Sequence, residues 1–108
     1  MKAIILAAGL GTRLGELTKS IPKCLVRIRG KTILEHQLEI LNKAGIKNED
    51  IIVIIGNEGE CWTKENQDII SKLTNNIVIN FENKKTNNSY SLKLALDRIN
   101  EDDILVLD

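Results

Sequence analysis

Hydrophobic and polar residues follow one another along the chain in blocks typical of an α/β fold. Short apolar runs, bounded by Gly, Asn or acidic residues, predict buried strands at 4–7, 51–55, 77–81 and 104–107. Between them, apolar residues recur at spacings of three and four, which predicts helices beginning near Ile33, at 62–73, and near Ser89 with an apolar face that runs to Ile99. We therefore expect a three-layer α/β fold with an open, mostly parallel sheet and flanking helices.

The first helix carries its own boundary signals. Thr32 and Glu35 have the spacing of a capping box, and Gly45 follows the apolar stripe as a C-terminal stop. Glu35 is therefore expected to stabilise the start of the helix. His36 is expected to lie on the exposed side of the helix and not to act as a base.

A glycine-containing stretch at 6–14 directly follows the first predicted strand. At Gly9 and Gly11 the backbone N–H groups can approach an anion with no Cβ in the way. The spacing excludes a Walker loop, which has four residues between its glycines and then Gly-Lys-Ser/Thr. It also departs from the dinucleotide fingerprint, because position 14 is Leu where a third Gly or Ala is needed. The stretch predicts an anion cradle, with a plain structural turn as the alternative.

Two cationic side chains accompany these glycines. Arg13 provides a planar guanidinium fork and Lys23 a point charge, the two groups best suited to phosphate oxygens. Pro22 restricts the backbone just before Lys23 and so helps to fix the position of its ammonium group. A phosphate-binding role is predicted for both cations, and a solvated loop position is the alternative for Lys23.

The amino-acid composition argues against several classes of protein. The 108 residues suit one small domain, and 43% hydrophobic content suffices for a modest core. A net charge of zero and only one Trp, one Tyr and one Phe argue against a nucleic-acid partner. Cys24 and Cys61 form no metal-binding or disulfide pattern, and the apolar start is too short for a signal or a membrane span. We expect a reduced, cytoplasmic protein with no membrane partner.

These motifs together resemble the opening signature of the nucleotidyltransferases, which make nucleotide-activated sugars, polyols and phosphocholine. The motifs are Leu6-Ala7-Ala8-Gly9-x-Gly11-Thr12-Arg13-Leu14, Pro22-Lys23-x-Leu25-Val26 and Gly30-Lys31-x-Ile33-Leu34-Glu35. The likeness is specific over 1–56 and looser up to Asp108. Gly15-Glu16 and Thr32 stand where many members have Pro.

The resemblance implies a Rossmann-like nucleotidyltransferase fold, truncated, with residues 1–108 as the nucleotide-binding portion. It also implies a reaction in which a phosphorylated acceptor attacks the α-phosphorus of a nucleoside triphosphate and pyrophosphate leaves, assisted by Mg²⁺. Arg13 and Lys23 would be the catalytic residues. By the same resemblance, Leu6, Ala7, Ala8 and Gly9 would hold base and ribose, Gly11, Thr12 and Arg13 the β- and γ-phosphates, and Lys23 the α-phosphate.

The segment 86–92 resembles the Asn-rich part of cytidylyltransferases. Asn87, Asn88 and Ser89 are therefore predicted to contact the nucleotide, and CTP is the favoured substrate. Asn side chains present a donor and an acceptor together and so could bind a pyrimidine edge. They are also ordinary helix caps, and this alternative stays open. The acceptor is expected to be phosphocholine, a polyol phosphate or a sugar 1-phosphate.

Asp108 matches only the first position of the metal-binding Asp pair of the family. We predict it as the Mg²⁺ ligand, and we expect the rest of a catalytic site to lie outside these residues. A non-catalytic nucleotide-binding or oligomerising module is the alternative to an enzyme. The open sheet edge at 104–107 further predicts self-association as a homo-oligomer, because an unpaired apolar strand tends to pair with another chain.

Overall fold

The computed structural model describes residues 1–9, 20–99 and 103–108, and within them strands and helices alternate as the pattern predicts. The strands are β1 (Lys2–Leu6), β2 (Arg27–Ile28), β3 (Lys31–Thr32), β4 (Ile51–Gly56), β5 (Ile77–Asn80) and β6 (Ile104–Leu107). The helices are α1 (Ile33–Lys43), α2 (Lys64–Leu73) and α3 (Asn88–Leu96). Short 3₁₀ turns cover Lys23–Leu25 and Asn48–Asp50.

The main sheet has the strand order β5-β4-β1-β6, and all of its pairings are parallel. Strand β1 lies between its neighbours with Ala3 opposite Ile51 and Ile5 opposite Leu107. The predicted open parallel sheet is therefore confirmed. The antiparallel hairpin of β2 and β3 is additional, and its two-residue strands show no apolar alternation that a sequence pattern could reveal.

Both faces of the sheet are covered, which explains the continuous apolar runs of β1 and β4. Ala3, Ile5 and Val53 pack on one face with buried residues of α1 and α2. Neighbouring positions point the other way, and there Ile4 and Ile54 pack with Ala95 of α3. These helix, sheet and helix layers are the predicted three-layer arrangement.

The start of α1 agrees with the sequence expectation, and the start of α2 differs from it in a way that matters for the site. The capping box is present at α1, where Thr32 accepts from the Glu35 amide and Glu35 accepts from the Thr32 amide. Helix α2 begins at Lys64 and not at 62, because Thr63 caps it by accepting from the Asn66 amide. Trp62 thus precedes the helix. Among the described residues the longest helix, α1, has 11 residues, and none of the helices could span a membrane.

Two smaller expectations were wrong. Strand β5 ends at Asn80, and Phe81 lies in the following turn, where 64% of its surface is exposed. Helix α3 ends at Leu96, so that Ile99 follows the helix and packs on the core from the succeeding turn. In both cases the sequence pattern extended the element to the next large hydrophobic residue, Phe81 for β5 and Ile99 for α3.

Candidate functional site

The carboxyl ends of β1 and β6 lie side by side at the point where the strand order reverses. The chain runs from β1 to β4 and β5 on one side, and then returns to β6 on the other side of β1. Because Ile5 pairs with Leu107, the residues that follow β1 and β6 leave the sheet at the same edge. Ligands of open parallel sheets bind in the crevice at such a reversal.

The residues that follow β1 leave room at this edge. Ala7 is still tied to the sheet, since its amide donates to the Ile54 carbonyl oxygen at 2.8 Å. Leu6 is half-buried and Ala8 is buried, whereas Gly9 is exposed. Among the residues that the structure describes, none places a heavy atom within 4 Å of a Cβ built on Gly9. The described part of the chain therefore leaves the Gly9 backbone uncovered.

The predicted phosphate ligands are only partly described. Gly11, Thr12 and Arg13 lie outside the described residues. Lys23 is exposed at the start of its 3₁₀ turn, between the buried Pro22 and the buried Cys24. The turn is closed by the Leu25 amide, which donates to the Pro22 carbonyl oxygen at 2.9 Å. The backbone of Lys23 is thus anchored by buried neighbours while the residue itself faces the surface.

Cys24 is a packing residue. It belongs to the aliphatic core, and burial raises the pKa of its thiol to about 12. Burial also raises the pKa of Cys61. Since the thiolate is the nucleophile and the metal ligand, neither side chain is suited to such chemistry at neutral pH.

The residues of the Asn-rich segment make different contacts. Asn87 is the N-cap of α3, and its Oδ1 accepts from the Tyr90 amide at 3.3 Å, as the capping alternative stated. Asn88 instead donates from Nδ2 to Oδ2 of Asp108 at 3.0 Å. Ser89 is exposed in the first turn of the helix. The structure thus brings Asn88 and Asp108 together at the edge that also carries Gly9.

Asp108 is an exposed carboxylate directly after β6. The described part of the chain contains no cluster of three or more His, Cys, Asp or Glu side chains that could hold a metal ion. Mg²⁺ is commonly bound through one or two carboxylates together with substrate phosphates and water. A single carboxylate at this edge fits that mode, and it does not fit a metal site made only of protein ligands.

The structure also reveals polar residues that sequence reasoning did not assign. Asn83 is 8% exposed, and its Oδ1 accepts from the amides of Asn57 and Glu58 at 3.0 and 2.7 Å. Its Nδ2 donates to the Glu58 carbonyl oxygen at 2.8 Å. The loops after β4 and β5 are therefore tied together. Trp62, which was expected on a helix face, donates from Nε1 to the Gly9 carbonyl oxygen at 3.3 Å.

Comparison with known proteins identifies the family. Residues 2–108 match the family model described as nucleotidyl transferase. The chain belongs to this family, and the resemblance inferred from its motifs is confirmed.

Individual relatives agree with this assignment. The chain is 43% identical over 100 residues to a choline-phosphate cytidylyltransferase of Streptococcus pneumoniae, covering 92% of this chain and 41% of that protein. It is 37% identical over 103 residues to a mannose-1-phosphate guanyltransferase of Neurospora crassa, covering 95% of this chain and 28% of that protein. A solved structure of the S. pneumoniae CTP:phosphocholine cytidylyltransferase superimposes with a TM-score of 0.79 at 42% identity, over 99% of this chain and 43% of that one. The chain thus spans less than half the length of these relatives.

Proposed function

We propose that residues 1–108 form the nucleotide-binding portion of an enzyme that transfers a nucleoside monophosphate to a phosphorylated small-molecule acceptor and releases pyrophosphate. The favoured nucleotide is CTP. Phosphocholine is the first acceptor to test, ahead of polyol phosphates and sugar 1-phosphates.

One observation carries this proposal. Asn88 contacts Asp108 at the carboxyl edge of the sheet, directly after the strand that pairs with the end of β1. A residue from the Asn-rich segment and the candidate metal ligand therefore meet at the sheet edge where the chain also leaves β1. In an open α/β sheet, this reversal point is where a nucleotide would bind.

The proposed chemistry needs no protein nucleophile. The phosphate of the acceptor is already an anion at neutral pH, and the barrier comes from repulsion between two anions and from charge that grows on the leaving group. Arg13 and Lys23 are proposed to offset this charge at the phosphates. Removal of one such preorganised donor typically lowers the rate by about 100- to 1,000-fold.

Asp108 is proposed to hold Mg²⁺ together with the phosphates of the nucleotide. When bound, the ion would neutralise negative charge on the phosphate chain. Asn88, at the start of α3, donates a hydrogen bond to Oδ2 of Asp108. This bond would keep the Asp108 carboxylate turned toward the crevice. Nearby backbone of Ala7, Ala8 and Gly9 is proposed to contact base and ribose.

The preference for CTP is supported by the cytidylyltransferase relative, which is more similar to this chain than the guanyltransferase described above. It is also supported by Asn88, whose side chain lies at the edge where the base would bind. Asn87 adds less to this argument, because its side-chain oxygen is engaged in capping α3.

A pyrophosphate-release assay on the natural protein that contains these residues tests the proposal. CTP with phosphocholine should release pyrophosphate in the presence of Mg²⁺, and GTP with mannose 1-phosphate should be a poorer pair. Binding of nucleotide without release from any acceptor would favour the alternative, a non-catalytic nucleotide-binding module. Absence of both binding and release would contradict the proposal.

A further inference from the structure

The segment 10–19 is bracketed by two residues that the structure does describe, and side chains from one short stretch hold both. At the start, Trp62 Nε1 donates to the Gly9 carbonyl oxygen at 3.3 Å. At the end, Asn66 Nδ2 donates to the Ser20 carbonyl oxygen at 3.0 Å. The residues 61–66, which we call the clamp, therefore reach both ends of the stretch that carries Gly11, Thr12 and Arg13.

Trp62, at one end of the clamp, is held by burial and close packing. The Trp62 side chain is almost fully buried, and it packs so closely on Gly56 that a Cβ there would lie 2.5 Å from Nε1. The same Cβ would lie 2.8 Å from Nδ2 of Asn83, the side chain that ties together the loops after β4 and β5. This packing fixes the indole ring, so that its N–H points toward the Gly9 carbonyl oxygen.

The Asn66 end is held by three hydrogen bonds of this one residue. Its Nδ2 donates to the Cys61 carbonyl oxygen at 2.8 Å as well as to Ser20. Its backbone amide donates to Thr63 Oγ1 at 3.1 Å in the first turn of α2. One amide group therefore joins the helix, the Cys61 backbone and the returning chain.

Neither end of the 10–19 segment is fixed by burial of its own side chain. Gly9 has no side chain, and Ser20 is exposed. The hydrogen bond from Trp62 gives the Gly9 carbonyl oxygen, at the start of the segment, a fixed partner. The bond to Ser20 sets where the chain returns, only three residues before Lys23.

We propose that Trp62 and Asn66 are positioning residues that set the two ends of the 10–19 segment and so align its phosphate-binding groups. The inference rests on the proposed function, because that function assigns Gly11, Thr12 and Arg13 to the phosphates. Trp62 and Asn66 themselves need not touch the nucleotide. Their loss should weaken interaction with the phosphate chain more than interaction with the nucleoside.

The test compares Trp62→Phe and Asn66→Ala with a matched control, Asn76→Ala. Asn76 Nδ2 donates to the Glu49 carbonyl oxygen at 2.8 Å, the same type of bond, but at the amino edge of the sheet. Each clamp variant should weaken binding of Mg²⁺-CTP and of inorganic tripolyphosphate about three- to tenfold, the range that one net hydrogen bond supplies. The control should change these affinities less than twofold.

Amide hydrogen exchange in the absence of nucleotide provides a second readout. Exchange in 10–19 should become about tenfold faster in both clamp variants and stay unchanged in Asn76→Ala. If Trp62→Phe does not fold, replacement of the only tryptophan by its benzothiophene analogue removes the N–H donor and keeps the shape.

The outcomes separate the two proposals. If the parent protein binds Mg²⁺-CTP and the clamp variants bind it as the control does, the inference is overturned and the proposed function stands. If the parent binds neither CTP nor tripolyphosphate, the proposed function fails. The clamp inference, which rests on that function, then fails with it. Unchanged exchange in 10–19 in a parent that binds Mg²⁺-CTP overturns the clamp inference alone.

Discussion

Asn88 donates a hydrogen bond from Nδ2 to Oδ2 of Asp108 at 3.0 Å, across 20 positions of the sequence. The contact joins the amino end of α3 to the carboxyl end of β6. It holds one carboxylate oxygen on the side of the helix, so that the orientation of Oδ1 is set as well. Asn88 can thus influence a metal ion at Asp108 without being a ligand.

Asn88→Ala should therefore weaken the effect of Mg²⁺ on nucleotide binding. Partners that orient a metal ligand typically contribute about 10- to 100-fold to metal affinity. A Mg²⁺ titration of CTP binding measures the shift of the midpoint. Thr32→Ala is the control, because it should lower the stability by about 1 kcal/mol through loss of the α1 cap and leave the Mg²⁺ midpoint in place. Equal midpoints in Asn88→Ala and the parent would contradict this role.

Substitution by Ala should change the stability at one of two glycines at this edge and not at the other. Gly56→Ala places a Cβ 2.5 Å from Trp62 Nε1 and 2.8 Å from Asn83 Nδ2, so that the packed loop must shift. Such overpacking typically costs about 1–3 kcal/mol in the free energy of unfolding. Gly9→Ala meets no atom of the described residues within 4 Å, so the described part of the fold should tolerate it.

Nucleotide binding should separate these glycine variants further. A Cβ on Gly9 would occupy space that the proposed nucleotide approaches, and Gly9→Ala should bind CTP at least tenfold more weakly despite nearly unchanged stability. Urea unfolding and calorimetry on the same preparations give both quantities. A Gly9→Ala variant that is stable and binds CTP normally would exclude close approach at this glycine.

The capping box at α1 should give the fold a measurable pH dependence. Hydrogen bonds from the backbone and hydroxyl of Thr32 hold the pKa of Glu35 below its ordinary value of 4.5. This stabilisation is present above pH 4.5 and is lost as the pH falls through the lowered pKa. Glu35→Gln should therefore reduce the loss of stability in acid, as followed by urea unfolding between pH 7 and pH 3.

Thr32→Ala and Thr63→Ala provide the comparison for the capping box. Each removes a hydroxyl that accepts from a helix amide at 3.1 Å, and each should cost about 1 kcal/mol at neutral pH. Only the Thr32 variant should also reduce the acid dependence, because the partner of Thr63 is Asn66, which does not titrate. Identical pH profiles for the two variants would show that the box does not act on Glu35.

Cys24 should resist alkylation in the native protein. Burial raises its pKa to about 12, so that at pH 8 the thiol stays protonated and covered. Iodoacetamide labelling followed by mass spectrometry should detect modification of Cys24 only after denaturant is added. Since the unfolded thiol ionises near pH 9, this residue also contributes stability that is lost as the pH rises from 9 toward 12. Rapid labelling without denaturant would contradict the packing described here.

The sheet and the first helix could be predicted because their signals are local. Continuous apolar runs reveal strands that are buried on both faces, and the Thr32 to Glu35 spacing reveals a helix start. Asp108 could be placed at the carboxyl edge because it directly follows the last run. The same local pattern made Trp62 an apolar residue of a helix, although its N–H needs a partner when buried.

The remaining contacts depend on residues far apart in sequence. Asn66 meets Ser20 across 46 positions, and Asn83 meets Asn57 across 26. Nothing in the neighbourhood of an Asn tells which distant carbonyl or amide it will bind. Thr63 shows that a local signal can also be missed. Because Thr63 caps α2, the helix begins after it, and Trp62 lies before the helix, where it contacts Gly9.

Calorimetric titration of the protein with CTP in the presence of Mg²⁺ tests the central claim most directly, with Lys23→Ala and Arg13→Ala as the variants. The account predicts one bound nucleotide in the parent and about 10- to 100-fold weaker binding in each variant, as expected for loss of a charged hydrogen bond worth about 1.5–3 kcal/mol. Equal affinity for CTP in the parent and in both variants would contradict it.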